Sequence, residues 1–245
     1  MNMKTAALIG VLAMTASIAN GTCAADYQTD TFKTKGGKEV VITAIRHASL
    51  RIQYDGLEIQ VDPVAEYAPA TDYSIFPKAD VILVTHEHFD HFDHGAIAAL
   101  KKNDTEVIAN PAVQKMLGCG MSMTNGESRV VKGIKLDAVP AYNTSPGRTQ
   151  FHPKGRDNGY VLTIDGLRIY IAGDTEDIPE MVDLKDIDVA FLPVNQPYTM
   201  TVEQCVNAAK VISPKVLIPY HFSQTDLAAL PELLPDTDVR LRDMQ

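Results

Sequence analysis

The chain has 245 residues, of which 45% are hydrophobic, and it carries a formal net charge of -9. Its 22 basic residues form no cluster that could follow a phosphate backbone, so we expect no nucleic-acid partner. Three cysteines are too few for a disulfide framework, which excludes the small disulfide-rich domains. We expect Cys119 and Cys205 to be small apolar side chains of the interior, and the sequence leaves their pairing open.

Residues 1–25 predict a secretory signal peptide. Lys4 precedes the apolar run 6–14 and the segment ends on small residues, so cleavage after Ala24 or Ala25 fits the usual pattern. Loss of Lys4 changes the net charge from -9 to -10. Because the apolar run is too short to span a bilayer, we expect an exported protein, periplasmic or secreted, without a transmembrane segment after processing. An N-terminal core helix is the alternative.

The first half of the remaining chain predicts a β-meander, followed by strands that alternate with short helices. The Asp55-Gly56 pair is a hairpin signal between the second and third strands. One helix opens on Pro111 and stops at Gly118, the usual positions of these two residue types. The predicted elements are strands at 39–46, 49–54, 56–63, 81–86 and 107–110 and helices at 95–102 and 111–118.

The second half of the chain repeats this arrangement, with an Asp165-Gly166 turn between two of its strands. No low-complexity tract or linker divides the chain, so we expect residues 26–245 to form one domain. Two β-rich halves that both contain helices predict an α/β domain in which two sheets pack face to face with helices outside. The predicted elements are strands at 135–142, 160–164, 167–175, 189–194 and 215–221 and a helix at 202–212.

The segment VILVTHEHFDHFDH, residues 81–94, contains four of the chain's seven histidines directly behind an apolar strand. His86 and His88 are two residues apart, so in an extended backbone their rings project to the same side and can share one cation. A turn after them would bring Asp90 and His91 to a second cation site. Imidazole and carboxylate are ligands that zinc prefers, with iron or manganese as alternatives where oxygen ligands increase. A solvated loop without function is the other interpretation.

The pattern His-x-His-x-Asp-His at residues 86–91 resembles the mark of the metallo-β-lactamase fold superfamily. Further segments are similar to that family over most of the chain, namely RHASLRI with VDPV, YIAGDTEDIPEM and LIPYHF. The resemblance implies a four-layer αββα sandwich of two mixed β-sheets with outer helices. Within the superfamily the chain is most similar to the branch of the ascorbate-phosphate lactonases and, more distantly, to phospholipase D-type enzymes that act on N-acyl phosphatidylethanolamines.

The resemblance also implies which residues hold two metal ions, with Zn2+ expected and Mn2+ or Fe2+ as alternatives. A carboxylate between two dications offsets their repulsion, which suits the bridging role of Asp174. In the family, Asp90 is also the catalytic residue, which orients the attacking hydroxide and later receives a proton. The implied ligands are His86 and His88 for the first ion, Asp90, His91 and His221 for the second, and Asp174 as the bridge.

The first metal site is incomplete in this comparison. Many relatives place a third histidine where this chain has Asn143, so either His152 turns in from the following loop or the site lacks a ligand. A mobile His152 that contacts substrate is a further alternative. His47 either faces the pocket or is a hydrogen-bonded structural residue. We expect His94 to be solvated or to lie behind the ligands, and Asp93 to cap a helix or hold a ligating ring.

Two metal ions about 3.5 to 4 Å apart lower the pKa of a bridging water, so hydrolysis by a bridging hydroxide is the expected chemistry. An ester, lactone or phosphodiester bond of a small-molecule or lipid-like substrate would fit. The loop 143–158 carries two arginines, Arg148 among them, and one lysine, which could pair with a phosphate or carboxylate of the substrate. We expect Tyr198 and Thr199 to reach the pocket mouth and to donate hydrogen bonds to an oxyanion.

Two other functions stay open at this point. A catalytically inactive metal-binding protein would explain Asn143 as the loss of one site, and it predicts one bound metal ion without turnover. A di-iron redox enzyme is disfavoured, because such relatives replace a motif histidine by a carboxylate and carry a flavin domain. His88 is present, and the chain has no room for a flavin domain.

Overall fold

The computed structural model describes residues 27–67 and 69–245. The predicted signal peptide at residues 1–25 lies outside these residues. Two seven-stranded β-sheets, called sheet I and sheet II below, make up the centre of the protein. In the part of the chain that is described, no helix has the length and apolar character needed to cross a bilayer.

The first half of the chain builds sheet I. Its strands are β1 (Thr29–Lys33), β2 (Glu39–Arg46), β3 (Ser49–Tyr54), β4 (Leu57–Val61), β5 (Val81–Val84), β6 (Glu106–Ala109) and β7 (Met121–Ser122). They lie side by side in chain order, antiparallel from β1 to β4 and parallel from β4 to β7. Parallel strands end at the same edge of a sheet, so residues that follow β4, β5 and β6 lie near one another.

The second half of the chain builds sheet II in the same manner. Its strands are β8 (Ser128–Val131), β9 (Ile134–Ala141), β10 (Asp157–Ile164), β11 (Leu167–Ile171), β12 (Val189–Pro193), β13 (Val216–Tyr220) and β14 (Asp238–Val239). They are antiparallel from β8 to β11 and parallel from β11 to β14. The two halves of the sequence therefore form two sheets of one topology.

Strand β5 shows how sheet I lies between two apolar layers. Val81 and Leu83 belong to the core between the sheets, whereas Ile82 and Val84 belong to a second cluster beneath the outer helices. Side chains alternate between the two faces of a strand, so a strand that is buried on both faces consists of an uninterrupted apolar run. The helices are α1 (His94–Leu100), α2 (Pro111–Leu117), α3 (Val202–Ile212) and α4 (Leu230–Leu233).

Helices α1, α2 and α3 begin at residues whose side chains cap free backbone N–H groups. Asp93 accepts hydrogen bonds from Gly95 and Ala96 at the start of α1, which is one of the roles predicted for it. Asn110 caps α2, which opens on Pro111. Helices α1 and α2 cover the outer face of sheet I, and α3 adds its buried face to the core of sheet II.

The predicted fold class, an αββα sandwich of two mixed sheets with outer helices, is confirmed. Two expectations differ in detail. The edge strand β1 was not predicted, because TDTFK is too polar to stand out as a strand. Cys119 is exposed, contrary to the prediction, because it lies in the turn that follows the last residue of α2, whereas Cys205 is buried as expected. Both thiols are free.

Candidate metal centre

Ligand-type side chains converge because several strands end at one edge of the sandwich. His86 follows β5 in sheet I, while Asp174 follows β11 and His221 follows β13 in sheet II. His47 lies in the turn between β2 and β3. The backbone N–H of His221 donates to the carbonyl of His47 at 3.0 Å, which ties the two sheets together at this edge.

Gly173 allows the backbone before Asp174 to pass close to sheet I. Its φ of +65° lies in the left-handed region, where glycine alone is unstrained. A Cβ atom at this position would lie 2.7 Å from the carbonyl oxygen of Asn158 and 3.3 Å from Cβ of Thr85. A side chain at this position would therefore displace the backbone that carries Asp174.

Four residues form a first cluster, named cluster A, which consists of His86, His88, His152 and Asp174. Nδ1 of His88 lies 3.0 Å from Nε2 of His86 and 3.2 Å from Nε2 of His152. Oδ2 of Asp174 lies 3.3 Å from Nε2 of His152 and 3.9 Å from Nε2 of His86. Three imidazole nitrogens and one carboxylate oxygen thus point to a common centre, as in a tetrahedral zinc site.

A second cluster, named cluster B, consists of His47, Asp90, His91 and His221. Oδ2 of Asp90 lies 3.2 Å from Nε2 of His47 and 3.5 Å from Nε2 of His221. The rings of His91 and His221 are stacked, with centroids 5.1 Å apart. His47, for which the sequence left two roles open, therefore lies among the candidate ligands.

Asp174 joins the two clusters. Its Oδ2 belongs to cluster A, yet it lies only 3.2 Å from Nε2 of His221. Its Oδ1 lies 3.2 Å from Nε2 of His91, also in cluster B. One buried carboxylate thus faces both clusters, the arrangement expected of a residue that bridges two cations.

Asp62, for which the sequence predicted no role, orients rings of both clusters. This fully buried carboxylate lies 2.8 Å from Nδ1 of His91 and accepts a hydrogen bond from the hydroxyl of Thr85 at 2.7 Å. Because that hydroxyl gives its one proton to Asp62, it accepts from Nδ1 of His86 at 3.0 Å. Both rings are left with Nε2 turned toward the clusters. Asp62 is the aspartate of VDPV, the segment that resembles the family, and it directly follows β4.

Asn143 lies behind His152 and orients it. Its amide nitrogen donates to the carbonyl of Tyr198 at 2.7 Å, so its oxygen faces Nδ1 of His152, also at 2.7 Å. His152 donates from Nδ1 and leaves Nε2 toward cluster A. Of the alternatives for the first site, the structure groups His152 with the other candidate ligands of cluster A and places Asn143 behind its ring.

The electrostatic surroundings of the clusters favour bound cations. Burial lowers the pKa of His152 to about 4, and burial together with His221 lowers that of His47 to about 4, so both rings are neutral near pH 7. Burial also opposes charge on His221, yet Asp174 outweighs it and raises the pKa of His221 to about 9. Burial would raise the pKa of Asp90, but the rings of His91 and His221 hold it far below its ordinary range. Positive charge is thus stabilised between the two carboxylates.

The donor atoms themselves test whether metal ions fit. Among the described residues, several buried atoms of the clusters have no hydrogen-bond partner: Nε2 of His91, both ring nitrogens of His221, and Oδ1 of Asp174. Buried polar atoms without partners are rare in folded proteins, because each one costs the free energy of its lost hydration. Imidazole and carboxylate that converge without partners form the ligand set of zinc and related cations, so the residues fit two metal ions.

A cavity of about 950 Å³ opens onto both clusters, and six of their eight residues line it: His47, His88, Asp90, His152, Asp174 and His221. Tyr198 lines this cavity and is 45% exposed, in keeping with its predicted place at the mouth. Thr199 is fully buried, and its hydroxyl is bonded to the backbone of Asn195, so it does not reach the cavity. Arg148 lies 3.6 Å from Glu176 and is absent from the cavity lining among the described residues. This geometry offers no support for substrate contacts by Thr199 and Arg148.

His94, the fourth histidine of the motif segment, belongs to neither cluster. It is exposed at the start of α1, with its ring 4.7 Å from that of Phe92. The solvated role expected for it agrees with this position. His94 therefore supplies a natural control for substitutions of the other histidines.

Comparison with known proteins agrees with this geometry. Residues 41–221 match the profile of the β-lactamase superfamily domain. A metal-dependent hydrolase of Pyrococcus furiosus, from the group named UPF0173, is 32% identical over 206 residues, which cover 79% of this chain and 89% of the relative. A crystal structure from Parabacteroides distasonis, described as that of a metal-dependent hydrolase, is 59% identical with a TM-score of 0.87, and the match covers 89% of this chain and 100% of that one. Igni18, a metallo hydrolase of Ignicoccus hospitalis, is 25% identical with a TM-score of 0.71 and coverage of 84% and 95%.

Proposed function

This chain belongs to the metallo-β-lactamase superfamily, and we propose that it is a hydrolase that uses two divalent cations. Metal-dependent hydrolysis is the activity named for the relatives that it resembles. The finer proposal is that the cations are zinc rather than Mn2+ or Fe2+, and that the bond is an ester, lactone or phosphodiester of a small-molecule or lipid-like substrate. Asp90 is the proposed catalytic residue.

One observation carries the two-metal proposal: Asp174 lies between two complete sets of ligand atoms. Cluster A and cluster B each bring together four residues. Either set alone could hold a structural cation. A shared buried carboxylate, at 3.2 Å from ring nitrogens of cluster B and 3.3 Å from His152 of cluster A, supports two ions held side by side over an open cavity.

When bound, two divalent cations would supply Lewis acidity and lower the pKa of a bound water to about 7. The chain's own residues then have separate tasks. Asp90 lines the cavity with 17% of its side chain exposed, so its carboxylate can orient an attacking water and take up a proton. His47 holds Asp90 in place through Nε2 at 3.2 Å. Tyr198, which lines the cavity and is 45% exposed, is the proposed hydrogen-bond donor to an oxyanion.

An inactive metal-binding protein was the alternative suggested by Asn143. Its premise was that asparagine marks a lost ligand. The hydrogen bond from His152 to Asn143 instead gives this residue a positioning role in a site with four ligand-type residues. The hydrolase proposal therefore accounts for Asn143 without invoking decay.

The proposal is tested by metal analysis of the purified protein, together with a hydrolysis panel of lactones, carboxylic esters and phosphodiesters. We expect two equivalents of zinc and turnover of at least one class of substrate. His88→Ala and Asp174→Ala should each lose metal and lower kcat/KM by at least about a hundredfold, because each removes a ligand of cluster A.

His94→Ala is the matched control, since it removes an exposed histidine of the same segment that lies outside both clusters. It should keep both metal equivalents and full activity. A protein that binds one equivalent and hydrolyses nothing in the panel would overturn the hydrolase proposal in favour of the inactive binder.

Export is a separate part of the proposal, and it is supported by the sequence of residues 1–25 alone. Cell fractionation followed by N-terminal sequencing tests it. We expect a periplasmic or secreted protein that begins at Ala25 or Asp26. A cytoplasmic protein that retains the first 25 residues would contradict it.

A further inference from the structure

Aromatic side chains wall the cavity in front of the two clusters. Phe89 and Tyr198 stand at its mouth, 79% and 45% exposed, and Phe151 and Tyr67 also line it. The rings of Phe151 and Tyr198 meet edge to face, with centroids 5.0 Å apart. Single exposed apolar residues are common, but four aromatic rings that line one cavity, two of them in direct contact, give it apolar walls of the kind that bind ligands.

The aromatic walls are fixed to the residues of the clusters. Phe89 lies in the chain between His88 and Asp90, and Phe151 directly precedes His152. The ring of Tyr67 stacks on that of His47 at 4.3 Å. Each of these three aromatic rings shares a short stretch of backbone or a direct stacking contact with a candidate ligand. A group held by the aromatic walls would therefore lie beside the bond to be hydrolysed.

No lysine or arginine lines this cavity in the described part of the chain. In the loop 143–158, Arg148 lies 3.6 Å from Glu176 and Lys154 lies 2.6 Å from Glu180, all four outside the cavity lining. Arg156 is paired with Asp157 at 2.6 Å, and its Nη2 lies 3.4 Å from Nε2 of His88 at the edge of the lining. The mouth instead carries the carboxylate of Glu87, itself 3.3 Å from Arg156.

We propose that the substrate is an uncharged carboxylic ester or lactone with an apolar acyl or aryl group, which lies against Phe89, Phe151 and Tyr198. This rests on the proposed function and narrows it. An anionic group remote from the reacting bond would leave water for aromatic faces, which carry negative partial charge, and no lysine or arginine of the cavity lining would offset its lost hydration. Esters with an added carboxylate are therefore poor substrates.

The test uses substrates with one leaving group. The zinc-loaded protein is assayed with p-nitrophenyl esters of straight-chain acids from acetate to octanoate, with an ester whose acyl chain ends in a carboxylate, and with bis-p-nitrophenyl phosphate. We expect kcat/KM to rise by about two- to fourfold per added methylene until the cavity is filled. The carboxylate-terminated ester should be at least about tenfold slower than its neutral counterpart of equal length, because nothing in the lining pairs with its charge.

Variants of Phe89 connect this selectivity to the aromatic wall. Phe89→Ala should lower kcat/KM for the octanoate about tenfold more than for the acetate, and Phe89→Leu should restore most of the chain-length dependence. Phe89→Lys should shift preference toward the carboxylate-terminated ester. Met116→Ala removes a 54% exposed apolar side chain of α2 outside the cavity and should leave all the rate constants unchanged.

The outcomes separate this inference from the proposed function. A protein that hydrolyses the phosphodiester best, or whose ester rates ignore chain length and Phe89, would overturn the inference. The proposed function would stand in that case, provided that Asp174→Ala abolishes the activity. A zinc-loaded protein that turns over none of these substrates or the wider panel would overturn both.

Discussion

Asp62 lies behind the rings of two candidate ligands, His86 and His91, and fixes their orientation. It is fully buried, and it accepts hydrogen bonds from the backbone and hydroxyl of Thr85 and from Nδ1 of His91. Through Thr85 it also acts on His86 of cluster A. A carboxylate behind a metal-ligating histidine fixes the tautomer and makes the ring a stronger ligand. One residue outside both clusters thus supports each of them.

Asp62→Asn is expected to weaken zinc binding about 10- to 100-fold. The asparagine side chain replaces one acceptor oxygen by an NH2 group, which would face the hydrogen-bond donors of Thr85 or His91. Competition with a chromophoric chelator measures the change. Asp183→Asn makes the same substitution at an exposed position and should leave the affinity unchanged. A Tm measured in excess chelator separates loss of metal from loss of fold. Unchanged zinc affinity in Asp62→Asn would refute the orienting role.

Asn143→Ala is expected to weaken zinc binding in cluster A about tenfold or more, because His152 keeps only the carbonyl of Tyr198 at 3.2 Å as a partner for Nδ1. Metal stoichiometry after dialysis, together with kcat, measures the effect. Asn143→Asp keeps an acceptor oxygen and should retain both metal equivalents. If Asn143→Ala binds two equivalents as tightly as the unchanged protein, the ring of His152 is held by other contacts.

At the scale of single residues, the sequence predicts the candidate ligands that lie in a strong motif. It does not reveal residues whose role depends on contacts between distant positions of the chain. The motif at 86–91 and the GDT segment predicted the residues that the structure brings together. Asp62 could not be assigned, because its contact with His91 spans 29 positions and depends on how β4 lies beside β5. The role of Asn143 likewise depends on a hydrogen bond that closes a loop of nine positions.

At the scale of elements, α3 begins with two reciprocal hydrogen bonds. The hydroxyl of Thr201 accepts from the backbone N–H of Gln204 at 3.0 Å, and the side chain of Gln204 accepts from the backbone N–H of Thr201 at 2.9 Å. This capping box satisfies two N–H groups that a helix start would otherwise leave free. The strong cap and the apolar face explain why the predicted bounds 202–212 agree with the observed helix.

Thr201→Ala should lower the free energy of unfolding by about 1 kcal/mol, since it removes one half of the capping box. For a chain of this size the loss corresponds to a Tm lowered by about 2–4 °C, measured by thermal denaturation. Thr201→Ser keeps the hydroxyl and should remain within a few tenths of a kcal/mol of the unchanged protein. Zinc content should stay the same in both variants, because α3 lies outside the cavity.

Strands were predictable where burial requires a run of apolar residues. They were not predictable where backbone hydrogen bonds to a neighbouring strand hold a polar segment. VILV is apolar because both faces of β5 are covered, and it was identified at once. In contrast, β10 begins at Asp157, three residues before the predicted start, because backbone pairing with β9 holds a polar stretch that resembles a loop. The four edge strands β1, β7, β8 and β14 were not predicted for the same reason, since edge strands of two to five residues carry little apolar signal.

For the whole molecule, the two halves of the chain form sheets of one topology, which the repeated order of predicted elements had indicated. The sequence did not show how the first strand meets the end of the chain. Asp30 on β1 accepts hydrogen bonds from Arg240 at 2.8 Å and from Arg242 at 2.8 Å. This contact joins residues more than two hundred positions apart, so no local pattern could predict it.

The ion pairs of Asp30 make stability depend on pH in acid. Burial by itself would raise the pKa of Asp30, but the hydrogen bonds and charges of Arg242 and Arg240 outweigh it and lower the pKa below 3.8. A carboxyl whose pKa is lower in the folded than in the unfolded state stabilises the fold above the unfolded pKa. Its contribution is therefore complete above pH 3.8 and is lost as the pH falls further, through the folded pKa.

Asp30→Asn should lower the free energy of unfolding by about 1–3 kcal/mol at pH 7, because two arginines lose a charged acceptor. Urea unfolding at a series of pH values measures the difference between the two proteins. The difference should be constant from pH 7 to about pH 4 and should shrink below that, as Asp30 of the unchanged protein takes up its proton. Asp236→Asn changes the same charge at an exposed position and should show no such difference. The difference in the free energy of unfolding between Asp30→Asn and the wild-type protein could instead persist undiminished at pH 2. That result would mean that packing, rather than the ion pairs, holds β1 to the end of the chain.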